Sequence, residues 1–287
     1  MPAPGDTSYR ERWFSAQDGL RLYYRDYGPR TATTTPVLCL GGVARNSKDF
    51  HHVASRLAER RRVVCPDYRG RGRSAYDPDW RNYRADVHLR DLAHLLVVAG
   101  LHHVVVCGTS MGGLMAMALA VTNPTALAGV ILNDVGPDIR PGGLEQIAGY
   151  IGRGGTLPDW DAAVATVKRD HAELGYQSEE LWLRFAKASY RQEPDGSIRA
   201  DWDVNLAKAM GQRLPDLWPI FRALRNLPTL AFRGENSSIL SAETFAAMKT
   251  TIPDLIQVTV QGTGHAPALD EPEATEAIDE FLDAIDA

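Results

Sequence analysis

The sequence predicts an α/β protein: a mostly parallel sheet with helices on both faces and a helical segment inserted in the second half. Three observations carry this. Short β-branched runs alternate with helix-period segments through the first half. The alternation stops near residue 137, and no convincing strand follows until residue 229. It then resumes to the C-terminus. Strand–helix–strand units of this length bring each strand back parallel to the last, with the helix packed across the sheet.

Residues 12–15 and 20–26 flank the turn sequence Gln17-Asp18-Gly19 and predict an N-terminal hairpin. Residues 37–40 are a short apolar strand ending in Gly41-Gly42, and an amphipathic segment follows at 50–59. Residues 62–65 predict the next strand, closed by Asp67-Tyr68-Arg69-Gly70-Arg71-Gly72-Arg73-Ser74. In 86–99, Val87, Leu89, Leu92, Leu95 and Leu96 recur at helical spacing. Residues 104–107 are a β-branched strand, 114–121 a buried helix rich in Ala and Met, and 129–132 the following strand. Beyond the insertion, 229–232 and 255–260 read as strands, 242–249 and 274–284 as helices. The core domain is therefore expected at 1–136 and 225–287, with a helical cap subdomain at 137–224.

Composition narrows the function classes. At 44% hydrophobic and 23% charged, the 287-residue chain is globular rather than disordered. A net charge of -5 argues against nucleic acid or an anionic membrane as partner. No stretch approaches the apolar length of a membrane span. Residues 1–10 lack a signal-peptide pattern, and Cys39, Cys65 and Cys107 each fall in an apolar run. The expected setting is a reducing cytoplasm without a disulfide framework. No metal-ligand spacing, phosphate loop or dinucleotide fingerprint is found, so neither metal nor cofactor is expected. The expected partner is a small ester-like molecule; a homodimer stays open.

The chemistry concentrates at Gly108-Thr109-Ser110-Met111-Gly112, a Gly-x-Ser-x-Gly pentapeptide between a strand and a helix. A strand must turn sharply into a helix there, and side chains two residues either side of the apex would collide, so both are Gly. Ser110 is thereby lifted above the sheet edge, at a helix N-terminus that favours developing negative charge. A serine hydroxyl needs a base. Of the eight histidines, His265 has the best context, in a glycine-flanked loop after the apparent last strand. His102 and His103 start the Ser110 strand at its far end; His88 and His94 read as surface or packing residues, and His51 and His52 as helix-surface residues.

With these motifs in place the chain resembles the α/β-hydrolase family over nearly its whole length. Gly41-Gly42-Val43 stands where the family carries His-Gly-x after its third strand, Asp67 to Ser74 matches its turn after strand four, and Gly264-His265-Ala266-Pro267 with Glu271-Pro272 matches its histidine segment. Asn133-Asp134-Val135-Gly136-Pro137 resembles the start of the cap in many bacterial members. The resemblance implies an eight-stranded sheet, Ser110 as nucleophile, His265 as general base, and the N–H groups of Val43 and Met111 as oxyanion donors. One departure is immediate: the family's usual His before the oxyanion glycine is Gly41.

The third member of the triad is less direct. The family usually supplies its acid after the seventh strand, where this chain reads Gly234-Glu235-Asn236-Ser237-Ser238-Ile239-Leu240-Ser241. Similar hydrolases carry Asp at the Ser237 or Ser238 position; here both are serine. Some members place the acid after strand six, where Asp134 stands, so Asp134 is favoured and Glu235 is the alternative.

Substrate contacts are expected from Arg45 and Asn46, behind the oxyanion residue, and from cap aromatics such as Trp160, Trp182 and Trp218. The expected reaction is hydrolysis of small carboxylic esters through an acyl-enzyme. Its rivals are lactone opening, C–C cleavage of a ring-fission product, perhydrolysis, and a non-catalytic ligand-binding member of the fold. Ser at position 110, rather than Asp, argues against dehalogenase or epoxide-hydrolase chemistry.

Overall fold

The computed structural model describes residues 8–210 and 215–287. The chain opens with β1 (Tyr9–Ser15) and β2 (Arg21–Tyr27), paired antiparallel with Ser15 opposite Arg21 across the expected turn. Then come β3 (Val37–Leu40), α1 (His51–Leu57), β4 (Val63–Asp67), α2 (Ala85–Ala99), β5 (Val104–Thr109), α3 (Met111–Thr122) and β6 (Leu127–Asn133). The inserted segment holds α4 (Pro141–Arg153), β7 (Thr156–Leu157), α5 (Trp160–Asp170), α6 (Glu179–Ser189), β8 (Tyr190–Gln192), β9 (Ile198–Ala200), α7 (Leu206–Ala209) and α8 (Trp218–Arg222). The chain returns through β10 (Thr229–Gly234), α9 (Ala242–Thr251), β11 (Ile256–Val260) and α10 (Pro272–Asp286).

Eight strands form one sheet in the order β1-β2-β4-β3-β5-β6-β10-β11. Only β1–β2 and β2–β4 pair antiparallel; from β4 to β11 the pairing is parallel. The parallel strands are buried on both faces, which is why they read as continuous apolar runs. In β5 the alternation is visible: Val104 and Val106 join the core under α2, α3 and α9, while Val105 and Cys107 join the core under α1 and α10. Each such valine, wholly removed from water, stabilises the fold by about 1.5–3 kcal/mol. All three cysteines are buried free thiols on β3, β4 and β5.

Local signals set the element ends. Ser241, Ser178 and Asp159 cap α9, α6 and α5 by accepting from backbone N–H groups three residues on. Gly100, at φ 66°, ends α2.

Two expectations about the insertion need correction. It is not purely helical: β7, β9 and β8 form a small antiparallel sheet. Strands of two or three residues are too short to show an alternating pattern. The segment from Trp218 to Asn226 also packs with the main core rather than the cap, because Phe221 and Leu224, both fully buried, fill the cluster beneath α3. The rest of the insertion, here called the cap for its position in the chain, forms a third cluster that includes Ile147, Ile151, Val167, Trp182, Ile198 and Trp202 together with Ala44, Tyr83 and Ile239 from the flanking segments.

Candidate active site

β5 runs straight into α3 with Ser110 at the junction, φ 53° and ψ −118°. That left-handed backbone is strained for a residue with a side chain and persists only where the surroundings enforce it. They do. A Cβ on Gly108 would lie 2.3 Å from the Gly112 carbonyl carbon, and a Cβ on Gly112 would lie 2.0 Å from the Leu40 carbonyl oxygen. The Ser110 N–H donates to the Asn133 carbonyl at 3.0 Å, tying the turn to the end of β6. Ser110 Oγ then lies 3.0 Å from His265 Nε2.

His265 sits in the loop between β11 and α10, and its Nδ1 is 2.7 Å from Asp134 Oδ2. Asp134 is fully buried and follows directly on β6 at φ 54°. Its carboxylate is completely engaged: Oδ1 accepts from the Gly234 N–H at 2.9 Å and Oδ2 from the Ser237 hydroxyl at 2.6 Å. Ser237 Oγ in turn accepts from Leu240 N at 3.0 Å and Ile239 N at 3.2 Å. The loop after β10 thus contributes a hydroxyl donor instead of a carboxylate. Glu235 does not reach the histidine; it is exposed and accepts from the Gly262 N–H at 2.9 Å. Ser238 donates from Oγ and N to the cap residue Glu173 at 3.0 and 3.2 Å.

Asn133 braces the centre. Its amide donates to Thr109 Oγ1 at 3.0 Å and to the Pro267 carbonyl at 2.9 Å, linking the turn before Ser110 to the loop after His265. The Gly42–Val43 loop passes over Ser110: a Cβ on Gly42 would be 3.7 Å from the Ser110 Cβ. Met111, as first residue of α3, has a backbone N–H without an intrahelical acceptor.

A cavity of about 610 Å³ opens above Ser110 and His265, between the sheet edge and the cap. Tyr150, His171, Tyr176 and Phe185 line it from the cap, with Ile147 and Leu181. His171 stacks edge-on against Tyr150 and Phe185, with centroids 4.7 and 4.9 Å apart. Burial first, then the nearby Arg45 cation, pushes the His171 pKa down to about 3, and burial pushes both tyrosines well above their usual value. The aromatic wall is uncharged at neutral pH. His51 and His52 also line the cavity.

The substrate contacts expected from sequence are largely redirected. Arg45 does line the cavity, stacked over Phe185 at 4.1 Å, but its guanidinium donates to Asp49 through Nε at 2.6 Å and Nη2 at 2.5 Å, and to Ser189 through Nη1 at 2.5 Å. Asn46 is buried and turned to the cap, donating to the Ala188 carbonyl at 3.1 Å. Trp182 packs on Tyr176 and donates to its carbonyl, Trp160 packs against the cap core, and Trp218 packs on Phe221 in the main core; none is among the residues lining the cavity. These side chains are large enough that cores claim them first. Sequence reasoning missed Tyr150, His171 and Tyr176, whose positions in the insertion carry no motif, and the bracing roles of Asn133 and Ser237.

The arrangement presents a hydroxyl, an imidazole and a carboxylate in one hydrogen-bonded line at the floor of a cavity. Comparison with known proteins fits this geometry. A family model described as "Alpha/beta hydrolase family" matches residues 37–278. A 3-hydroxybutyrate-oligomer hydrolase of Cupriavidus necator is 32% identical over 264 residues, covering 88% of this chain and 89% of that one. The crystal structure of an alpha/beta hydrolase from Novosphingobium aromaticivorans superposes with a TM-score of 0.92 at 41% identity, covering 97% of this chain and 99% of the other. That of E-2-(acetamidomethylene)succinate hydrolase superposes with a TM-score of 0.82 at 25% identity, over 96% and 99%.

Proposed function

This chain belongs to the alpha/beta hydrolase family, and from that premise we propose that it is a serine hydrolase of small carboxylic esters. The observation that carries the reading is the line Ser110 Oγ–His265 Nε2–Asp134, at 3.0 and 2.7 Å, beneath the cavity. Ser110 attacks the ester carbonyl while His265 takes its proton. Asp134 holds Nδ1 protonated and facing away from the serine, which leaves Nε2 as the acceptor, and it stabilises the imidazolium once formed. The N–H groups of Val43 and Met111 take the oxyanion. His265 returns the proton to the departing alcohol. Water, activated by the same imidazole, then releases the acid from the acyl-enzyme.

The uncharged wall of Tyr150, His171, Tyr176 and Phe185 suits an aliphatic acyl or alkoxy group bearing further oxygens. Short oligoesters of 3-hydroxybutyrate are the first natural candidates, since a relative of similar length is named for them. A panel of p-nitrophenyl acetate, butyrate and octanoate, 3-hydroxybutyrate dimer and trimer, and a lactone tests the reading together with fluorophosphonate labelling. Labelling at Ser110 and turnover of the esters are expected. Absence of both in folded protein would leave a ligand-binding member of the fold.

A further inference from the structure

Two buried arginines stand two residues apart in the turn after β4, and they are treated differently. Arg69 is surrounded by carboxylates: Asp18, Asp77 and Asp91 all lie within 2.6–2.8 Å of its guanidinium. Arg71, just as buried at 1% exposure, makes no ion pair among the described residues. Its partners are neutral. Nε donates to the Val43 carbonyl at 2.6 Å and Nη1 to the Arg69 carbonyl at 2.6 Å; Nη2 lies 3.9 Å from Met111 Sδ. The rings of Tyr68 and Tyr83 flank it at 5.6 and 5.8 Å, and His88 Nε2 is 3.5 Å from Nη1. Burial lowers its pKa to about 10, which still leaves it charged at neutral pH. A buried cation with no carboxylate in direct contact, and Asp203 acting on it only from beyond Tyr83, is costly to hold, so an arginine here needs a reason.

Val43 and Met111 are the two residues whose N–H groups are proposed above as oxyanion donors. They come from separate segments, and Arg71, from a third, touches both. We propose that Arg71 is a positioning residue for the oxyanion hole: its guanidinium holds the Val43 carbonyl and the Met111 side chain, locking two independently supplied donors into one geometry. This rests on the serine-hydrolase reading. The mechanical need is clear in the sequence. Val43 follows Gly41-Gly42, which offer no side chain to anchor the loop and allow the widest backbone freedom. A bond from the Arg71 fork to the Val43 carbonyl restricts that freedom within the same residue, only the φ and ψ rotations of Val43 away from its N–H. The guanidinium also places a positive charge, not directly paired with a carboxylate, against the two segments that supply the oxyanion donors.

The test compares Arg71→Met and Arg71→Lys with wild type and Ser110→Ala, using p-nitrophenyl butyrate and an alkylboronic acid that mimics the tetrahedral intermediate. Arg71→Met is expected to lower kcat about 100-fold, the scale of losing one oxyanion donor, with KM within about threefold. The boronate should bind weaker by a similar factor, because it too needs the assembled hole. Arg71→Lys keeps the charge and loses the fork, and should fall between. A purely structural role would lower the melting temperature without this split between kcat and KM. A folded Arg71→Met enzyme with kcat within threefold of wild type, or with its loss wholly in KM, overturns the proposal. If Arg71→Met fails to fold, unchanged kcat and boronate affinity in Arg71→Lys overturn it equally. Wild type inert towards both ester and boronate sinks the hydrolase reading itself, whereas active wild type with indifferent Arg71 variants sinks only this inference.

Discussion

Asp134→Asn is the most informative single change at this site. Asp134 Oδ1 accepts from the Gly234 N–H, while Oδ2 accepts from Ser237 and faces His265 Nδ1. An asparagine keeps its carbonyl oxygen on Gly234, since a backbone N–H cannot turn away, and so presents its NH₂ to the imidazole. The amide then donates to Nδ1, the proton moves to Nε2, and the histidine can no longer accept from Ser110. A wrong tautomer of this kind costs about 10⁴ in kcat in serine-protease triads, equivalent to about 5.4 kcal/mol of barrier at about 1.36 kcal/mol per decade. The fold should lose only the charge-assisted share of these bonds, about 1–3 kcal/mol. The assay is steady-state hydrolysis of p-nitrophenyl butyrate, with fluorophosphonate labelling rate and thermal melting measured in parallel. A folded Asp134→Asn protein within tenfold of wild type would refute the assignment of the acid. Partial recovery is expected from adding Ser237→Asp, whose Oγ lies 2.6 Å from the lost carboxylate. Ser238→Asp should not restore activity unless Glu173, now bonded to Ser238, is neutralised as well.

Ser110→Ala should abolish ester turnover and fluorophosphonate labelling while leaving the circular dichroism spectrum unchanged; wild-type-like turnover would end the mechanism. His265→Ala should lower kcat by at least about 10³, and a loss below tenfold would assign the base to another group. Ser237→Ala removes a hydroxyl that both donates to Asp134 and accepts from two backbone N–H groups, so it should destabilise by about 1–3 kcal/mol, read by denaturant melts, with a smaller fall in kcat. His171 titrates near 3 in the fold and near 6.5 unfolded, so below pH 6.5 the unfolded state binds the extra proton and stability falls with pH. By pH 5 the loss should be on the order of 1–2 kcal/mol, and His171→Phe should flatten the slope of melting temperature between pH 7 and 5; an unchanged slope would place the effect elsewhere.

What the sequence determined by itself is what short-range sterics dictate. The turn at Ser110 is legible because Gly108 and Gly112 answer collisions within five residues of chain. The parallel sheet is legible because strands buried on both faces must be apolar throughout. His265 stands out because its loop carries glycines and a proline in a short span. Asp134 was harder: the sequence offered carboxylates after both β6 and β10, and only the packing of the two loops shows Asp134 beside the histidine, Ser237 bonded to it, and Glu235 turned to Gly262. The cavity wall was decided by tertiary structure alone. Whether an aromatic residue of the insertion faces the cavity, as Tyr150 and Phe185 do, or fills a core, as Trp182 and Trp218 do, depends on how the inserted helices pack, and the same apolar surface serves either position. The same holds for Arg71: a sequence reveals an arginine, but the partner of its guanidinium, the Val43 carbonyl, is set by a segment 28 residues away, whereas Arg45 is held mainly by Asp49, four residues on, with Ser189 adding one distant bond.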